Sequence, residues 1–314
     1  MCSILFIIQN YSFFGKMLND EGLNTHRSYK GKDSIFMRCL REIHFRLNLP
    51  RKSIWFNPIT VHVDVFFIYA DLIIPEYIEW LHNNFPLAKF IMYYPNKVNN
   101  KSNPDMFRYY YLKLWTSDLP DSVNYNMNLV KDVGGYSRTW VVNKEKPQFD
   151  VFFVGKDKNH KRFDYLQQLE KQFAQLGLRT YFHIVSEHRY GRYFNSQYKG
   201  FMPYDECLKF LGKTKSILYL GYGSQECVTI RILESLVHNI KLITDCLWIK
   251  NYDFYNSHNI FILGEDDING LPDFLNTPYV KVESSILAQL FYEDFLNYIV
   301  SNSYPSQSYF MKNE

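Results

Sequence analysis

Short β-type runs alternate with amphipathic helical stretches from one end of the chain to the other, and this pattern constrains the fold more than any other feature. Runs at 3–9, 53–56, 63–69, 89–94, 113–117 and 138–142 read as strands, with helical stretches at 34–47 and 75–85 between them. Asp33 is placed to cap the first of these helices, and Pro75 suits a first helical position. The polar stretch 143–148 interrupts the pattern and reads as a linker. Beyond it, strands are expected at 149–154, 179–184, 216–220, 241–244 and 259–263. Helices are expected at 161–176, near 204–211 and 229–238, and from 285 to about 301. The first of these carries Phe163, Leu166, Leu169, Phe173 and Leu176 on one stripe and stops at Gly177. Strands separated by helical crossovers pair in parallel, so the expected class is α/β. The 314 residues suit two Rossmann-like doubly wound domains, 1–145 and 146–284, facing across a cleft. A helix at 285–301 and a polar tail at 302–314 would follow. In such open sheets, ligands bind beyond the carboxyl ends of the strands.

Composition narrows the partners. A net charge of +3 is too mild to argue for nucleic acid. Cys2, Cys39, Cys207, Cys227 and Cys246 are widely spaced and form no Cys-x-x-Cys, which argues against a disulfide framework or a structural zinc site. The apolar run at the amino terminus is too short for a signal peptide and reads as a buried strand. No stretch approaches the roughly 18–20 apolar residues that span a bilayer, so a cytoplasmic protein is expected. Arg38, Arg41, Arg46, Arg51 and Lys52 cluster with Phe36, Phe45, Trp55 and Phe56, which leaves peripheral contact with a membrane surface open.

The segment 217–236 is the most informative. A strand runs into a turn holding Gly221 and Gly223, then a helix beginning near Thr229, then the strand at 241–244. The glycines permit close backbone approach, and the helix start presents unpaired N–H groups that would seat a diphosphate. Glu226 and Glu234 flank this junction with seven residues between them, and a carboxylate accepts hydrogen bonds from adjacent sugar hydroxyls. The strand end 154–158 adds Gly155, Lys156 and Lys158, with Arg162 just beyond; Arg231 lies in the first turn of the later helix. Positive charge here would stabilise a departing diphosphate.

The Glu-x7-Glu segment with its helix and following strand resembles the nucleotide-sugar site of GT-B glycosyltransferases in the large group of retaining transferases that build bacterial surface glycans. Residues 152–158 with Arg162, 200–204, 225–234, 252–255 and 259–261 resemble lipopolysaccharide and capsule biosynthesis members. In the first half, 93–96 and 114–118 do the same. The resemblance implies a transferase, and the lack of an Asp-x-Asp after an apolar strand points to no essential metal. A UDP-, GDP- or dTDP-sugar would serve as donor and a glycan or lipid-linked glycan as acceptor, with contact at the cytoplasmic face of the inner membrane. It implies that Glu234 binds the ribose and that Glu226 lies near the donor sugar. Lys158 and Arg162 would then join Glu226 as catalytic groups. Gly155, Lys156, Pro203, Tyr204, Gly223, Gln225, Thr229 and Arg231 would complete the donor site. Asn10, Gly15 and Asn96, after strands of the first half, would meet the acceptor. The stretch after Glu226 is Cys227-Val-Thr where the family carries small, Gly-rich residues.

Other signatures are missing. The sequence holds no Gly-x-x-x-x-Gly-Lys-Ser/Thr, no Gly-x-Ser-x-Gly and no His-Glu-x-x-His, and no Asp-x-Asp follows an apolar strand. His26 and Asp20 are candidate proton acceptors, and the loop from His183 to Arg192 mixes His, Arg and Tyr at a strand end. A non-catalytic binder of the same fold, or an epimerase acting on a nucleotide sugar, stays open.

Overall fold

A computed structural model describes residues 3–8, 13–30, 34–70, 73–98, 102–130, 135–157, 162–188, 191–221 and 226–305. The chain divides into two compact units. The first is Met1–Val133 with Gln225–Cys227 and Glu293–Glu314; the second is Gly134–Ser224 with Val228–Tyr292.

The first unit contains β1 (Ile4–Ile8), α1 (Phe13–Asp20), β2 (Thr25–Arg27), α2 (Ile35–Arg46), β3 (Val65–Tyr69), α3 (Pro75–Asn84), β4 (Lys89–Tyr94), β5 (Leu112–Thr116), α4 (Leu119–Asn124) and β6 (Asn128–Leu129). Its strands pair in parallel in the order β2-β1-β3-β4-β5-β6. A parallel sheet covered on both faces needs continuous apolar strands, and every residue of β3 is buried. Alternate residues (Leu5, Ile7, Phe66, Ile68, Phe90, Met92) pack with Tyr77, Ile78 and Leu81 of α3.

The second unit contains β7 (Phe149–Asp157), α5 (Arg162–Gln175), β8 (Thr180–Ser186), α6 (Gly191–Phe194), α7 (Tyr204–Leu211), β9 (Thr214–Tyr219), α8 (Ile230–Val237), β10 (Lys241–Thr244), β11 (Ile260–Ile262), α9 (Leu271–Asn276) and α10 (Ser284–Gln289). Its parallel strands run β11-β10-β9-β7-β8. Phe163, Leu166, Leu169 and Phe173 of α5 are buried as the stripe predicts, and Gly177 leaves the helix at φ +73. The α/β class with two doubly wound, Rossmann-like units is therefore the observed one.

Several local expectations differ. Residues 53–56 lie largely in a 3₁₀ turn, Lys52–Trp55, because Arg51 turns the chain at φ 60 and Phe56 N–H closes on Ser53 O. Residues 138–140 likewise form a 3₁₀ turn, capped by the Ser137 hydroxyl, with Trp140 buried against Tyr204 at 4.6 Å. Residues 143–148 are tied to the second unit: Glu145 and Gln148 N–H donate to Gly212 O and Lys213 O, both at 2.8 Å. The boundary expected after 145 thus lies within that unit. The single helix expected at 285–301 is two. Tyr136 N–H donates to Leu290 O and its carbonyl accepts from Tyr292 N–H, so the backbone leaves helical pairing between α10 and α11 (Tyr292–Ser303).

Candidate active site in the second unit

Each sheet has the chain leaving its first strand in both directions, to β2 and β3 around β1 and to β8 and β9 around β7. That split is the topological switch point, where the carboxyl ends of neighbouring strands part and leave a crevice. In the second unit that point lies at the ends of β7 and β9, and Arg162 bridges them. Its guanidinium donates to Lys156 O at 3.4 Å, Leu220 O at 3.2 Å and Gly221 O at 3.1 Å. Three of its five N–H donors are thereby used, and the other two have no partner among the described residues. Arg162 has no carboxylate partner among the described residues, nor has exposed Lys156 in β7. Carbonyls hold the guanidinium in place without cancelling its charge.

Buried Asp157 fixes the start of α5. Its Oδ1 accepts from Phe163 N–H at 3.0 Å, and its Oδ2 accepts from the Tyr198 hydroxyl at 2.6 Å. Gly155 has a packing role, because a Cβ there would stand 2.9 Å from Cζ of Phe153. Gly221 is similarly confined, 2.8 Å from Sγ of Cys246 for an added Cβ, and its N–H donates to Asp245 Oδ1 at 2.7 Å. Asp245 is exposed at the end of β10. Sequence reasoning passed over it; the available signal was a carboxylate immediately after a short apolar strand.

The Glu-x7-Glu pair is divided. Glu226 groups with the first unit, where its N–H donates to Asp118 Oδ2 at 3.1 Å and its carbonyl accepts from Leu119 N–H. Glu234 lies in α8 of the second unit, fully buried. Its Oε1 accepts from the Tyr204 hydroxyl at 2.8 Å, and its Oε2 pairs with Arg231. Burial pushes its carboxyl above the usual carboxylate range, against the opposing pull of Arg231 and Tyr204. Tyr204 Oη also lies 3.3 Å from Tyr136 Oη, which in turn lies 2.8 Å from His238 Nε2. This polar chain runs through the interior of the unit. Both oxygens of Glu234 already hold protein donors, and Arg231 points inward to them, unlike the ribose-facing and anion-facing placements expected. The reason is helical: Ile232, Leu233 and Leu236 turn one face of α8 into the core, and Arg231 and Glu234, three apart, go in with it.

Thr229 is the N-cap of α8, but its buried hydroxyl makes no cap bond and has no hydrogen-bond partner among the described residues. Pro203 is the exposed N-cap of α7. Gly223, Gln225 and Lys158 lie outside the described residues, as do Asn10 and Asp33.

No protein-family model matches the chain, and no curated protein matches it. Likeness appears among solved structures. The crystal structure of Alr3699/HepE from Anabaena in complex with UDP matches over 98% of this chain and 100% of its own, at TM-score 0.52 and 9% identity. A looser match is the GtfA/B complex, at TM-score 0.42 and 10% identity over 86% of this chain and 54% of that one. The likeness to HepE is one of fold.

In the first unit, Gly15 is buried within α1, Lys16 pairs with Asp20 at 3.1 Å, and Asn96 is exposed after β4. His26 sits in β2, where its Nε2 lies 3.3 Å from Asn57 O, and burial lowers its pKa. His183 lies inside β8, its Nε2 2.7 Å from Gly200 O, so it faces protein and not the loop. Among the described residues no group of three His, Cys, Asp or Glu is placed to hold a metal ion. Glu265 pairs with Lys250, and Asp267 caps a 3₁₀ turn.

Proposed function

We propose that this protein is a glycosyltransferase of the GT-B type that holds a nucleotide sugar at the carboxyl edge of its second sheet. The observation that carries the reading is Arg162, a cation without a carboxylate partner among the described residues, fixed by carbonyls across the switch point between β7 and β9. A diphosphate there would accept from its two remaining N–H groups and from Lys156. When the anomeric C–O bond breaks, the electron pair leaves with the diphosphate, and these cations stabilise the charge as it develops. The first turn of α8 would contribute its unpaired amides, Thr229 supplying the cap position. Asp245, one oxygen held by Gly221, would offer the other to ribose hydroxyls in place of buried Glu234. The whole-length likeness to a UDP-bound fold supports a nucleoside diphosphate as the donor's handle. In this reading the first unit, through strand-end residues such as Asn96, takes a glycan or lipid-linked glycan of a bacterial surface polymer.

Calorimetry with UDP, GDP and dTDP tests the donor site. One of the three should bind, and Arg162→Ala should weaken it at least about tenfold, the worth of a charge-assisted contact. Hydrolysis or transfer from the matching nucleotide sugar should then follow. The absence of any nucleoside diphosphate binding would refute the reading. Binding without turnover would favour a non-catalytic binder, the reading that the Cys227-Val-Thr departure and the buried Glu234 support.

A further inference from the structure

The Ser34 hydroxyl caps α2 by accepting from Met37 N–H at 3.2 Å. One face of the helix turns inward: buried Arg41 lies over the Tyr29 ring at 4.5 Å, and Phe45 meets the same ring at 5.5 Å. Phe36, Leu40, Ile43 and Leu47 recur at spacings of four, three and four on the opposite face. A helix of a globular domain ordinarily packs such a stripe against its core. Here it faces outward: Phe36 is 68% exposed and Leu47 64%, and Ile35 beside them is 75% exposed. Leu49 and Ile54 extend the apolar surface beyond the helix. The aromatic members of the cluster noted in the sequence go the other way. Phe56 is buried, and Phe45 and Trp55 pack partly against the core.

Charge says what covers this face. Residues 34–54 hold five basic side chains against one acidic, Glu42. Arg41 is turned inward, and Lys52 is bound to Asn48 and Glu76. Arg38, Arg46 and Arg51 are exposed, and Arg46 and Arg51 have no carboxylate partner among the described residues. A second copy docking by the same face would bring arginines against arginines. An anionic bilayer satisfies both features at once: the apolar stripe enters the headgroup boundary, and the guanidinium groups meet lipid phosphates. We propose that α2 and the segment through Ile54 dock the first unit onto an anionic lipid surface, lying in the interfacial plane. No described helix is long and apolar enough to cross a membrane, so the contact is peripheral. The proposal is independent of the transferase reading.

Flotation of the full chain with vesicles of phosphatidylcholine, alone or mixed with phosphatidylglycerol, tests it. The chain should float with the mixed vesicles only and be released by high salt, which screens surface charge. Phe36→Ser with Leu47→Ser, and separately Arg46→Glu with Arg51→Glu, should each reduce the bound fraction about tenfold. Thermal melts of both variants should match the parent, because all four positions are exposed. No flotation with either vesicle, equal flotation with both, or full flotation by the variants would overturn the proposal. So would self-association, seen by sedimentation velocity, that Phe36→Ser with Leu47→Ser abolishes.

Discussion

His238 follows α8 with its ring buried, Nε2 at 2.8 Å from the Tyr136 hydroxyl and Nδ1 at 3.5 Å from Val142 N–H. Burial, helped by the nearby charge of Lys144, holds its pKa down to about 4 from 6.5. Between these values the unfolded chain takes up a proton that the folded one refuses, so folding stability is complete above the upper value. It falls as pH drops toward the lower one, by on the order of 3 kcal/mol. Urea midpoints measured from pH 7.5 down to 4.5 should fall for the parent and fall less for His238→Gln; parallel curves would contradict this. The same network shows what spacing leaves open. The interval from Glu226 to Glu234 is visible in the sequence, but whether a carboxylate meets water or Tyr204 and Arg231 depends on which face of α8 is covered. Asp245 went unnoticed for the complementary reason: its neighbour Gly221 comes to it from another strand.

Asp118 links two elements within the first unit. Its Oδ1 caps the six-residue α4 by accepting from Asp121 N–H at 3.0 Å, and its Oδ2 accepts from Glu226 N–H at 3.1 Å. Asp118→Ala should cost about 1–2 kcal/mol through the lost cap and bond. It should also speed hydrogen exchange at the Glu226 amide, whereas unaltered exchange there would show that the loop is held by other contacts. Elements with strong patterns were legible: β4, β10 and α7 have the bounds their sequences predict. Length alone did not decide this, since α7 has eight residues and β10 four; α1, α4, β2, β6 and α9, none longer than eight residues, did not stand out in the sequence. Residues 53–56 and 138–142 have strand-like composition, but their aromatic rings gain burial in turns.

The chain's last helix returns to the first sheet. Phe295 packs on Phe67 and Tyr93, Trp115 Nε1–H donates to Ser303 Oγ at 2.8 Å, and the Tyr304 hydroxyl bonds both N–H and carbonyl of Phe90. Phe295→Ala should therefore destabilise the first unit by about 3–5 kcal/mol, the cost of an aromatic-sized cavity. Amide exchange should accelerate in β4 and stay unchanged in β7; equal acceleration in both would mean that the two units unfold together. The alternation of strands with crossover helices and the parallel pairing it implies were legible in the sequence, because apolar periodicity is local; the lateral order of the strands in each sheet came only from the structure. With it came the location of candidate ligand groups at the carboxyl ends of the second sheet. Tertiary structure alone decided which of those groups keep an open charge. Arg162 is held by carbonyls and keeps its charge, whereas Arg231 is neutralised by Glu234 in the interior. Solvent exposure and pairing arise from contacts between residues distant along the chain, and no spacing within one segment encodes them.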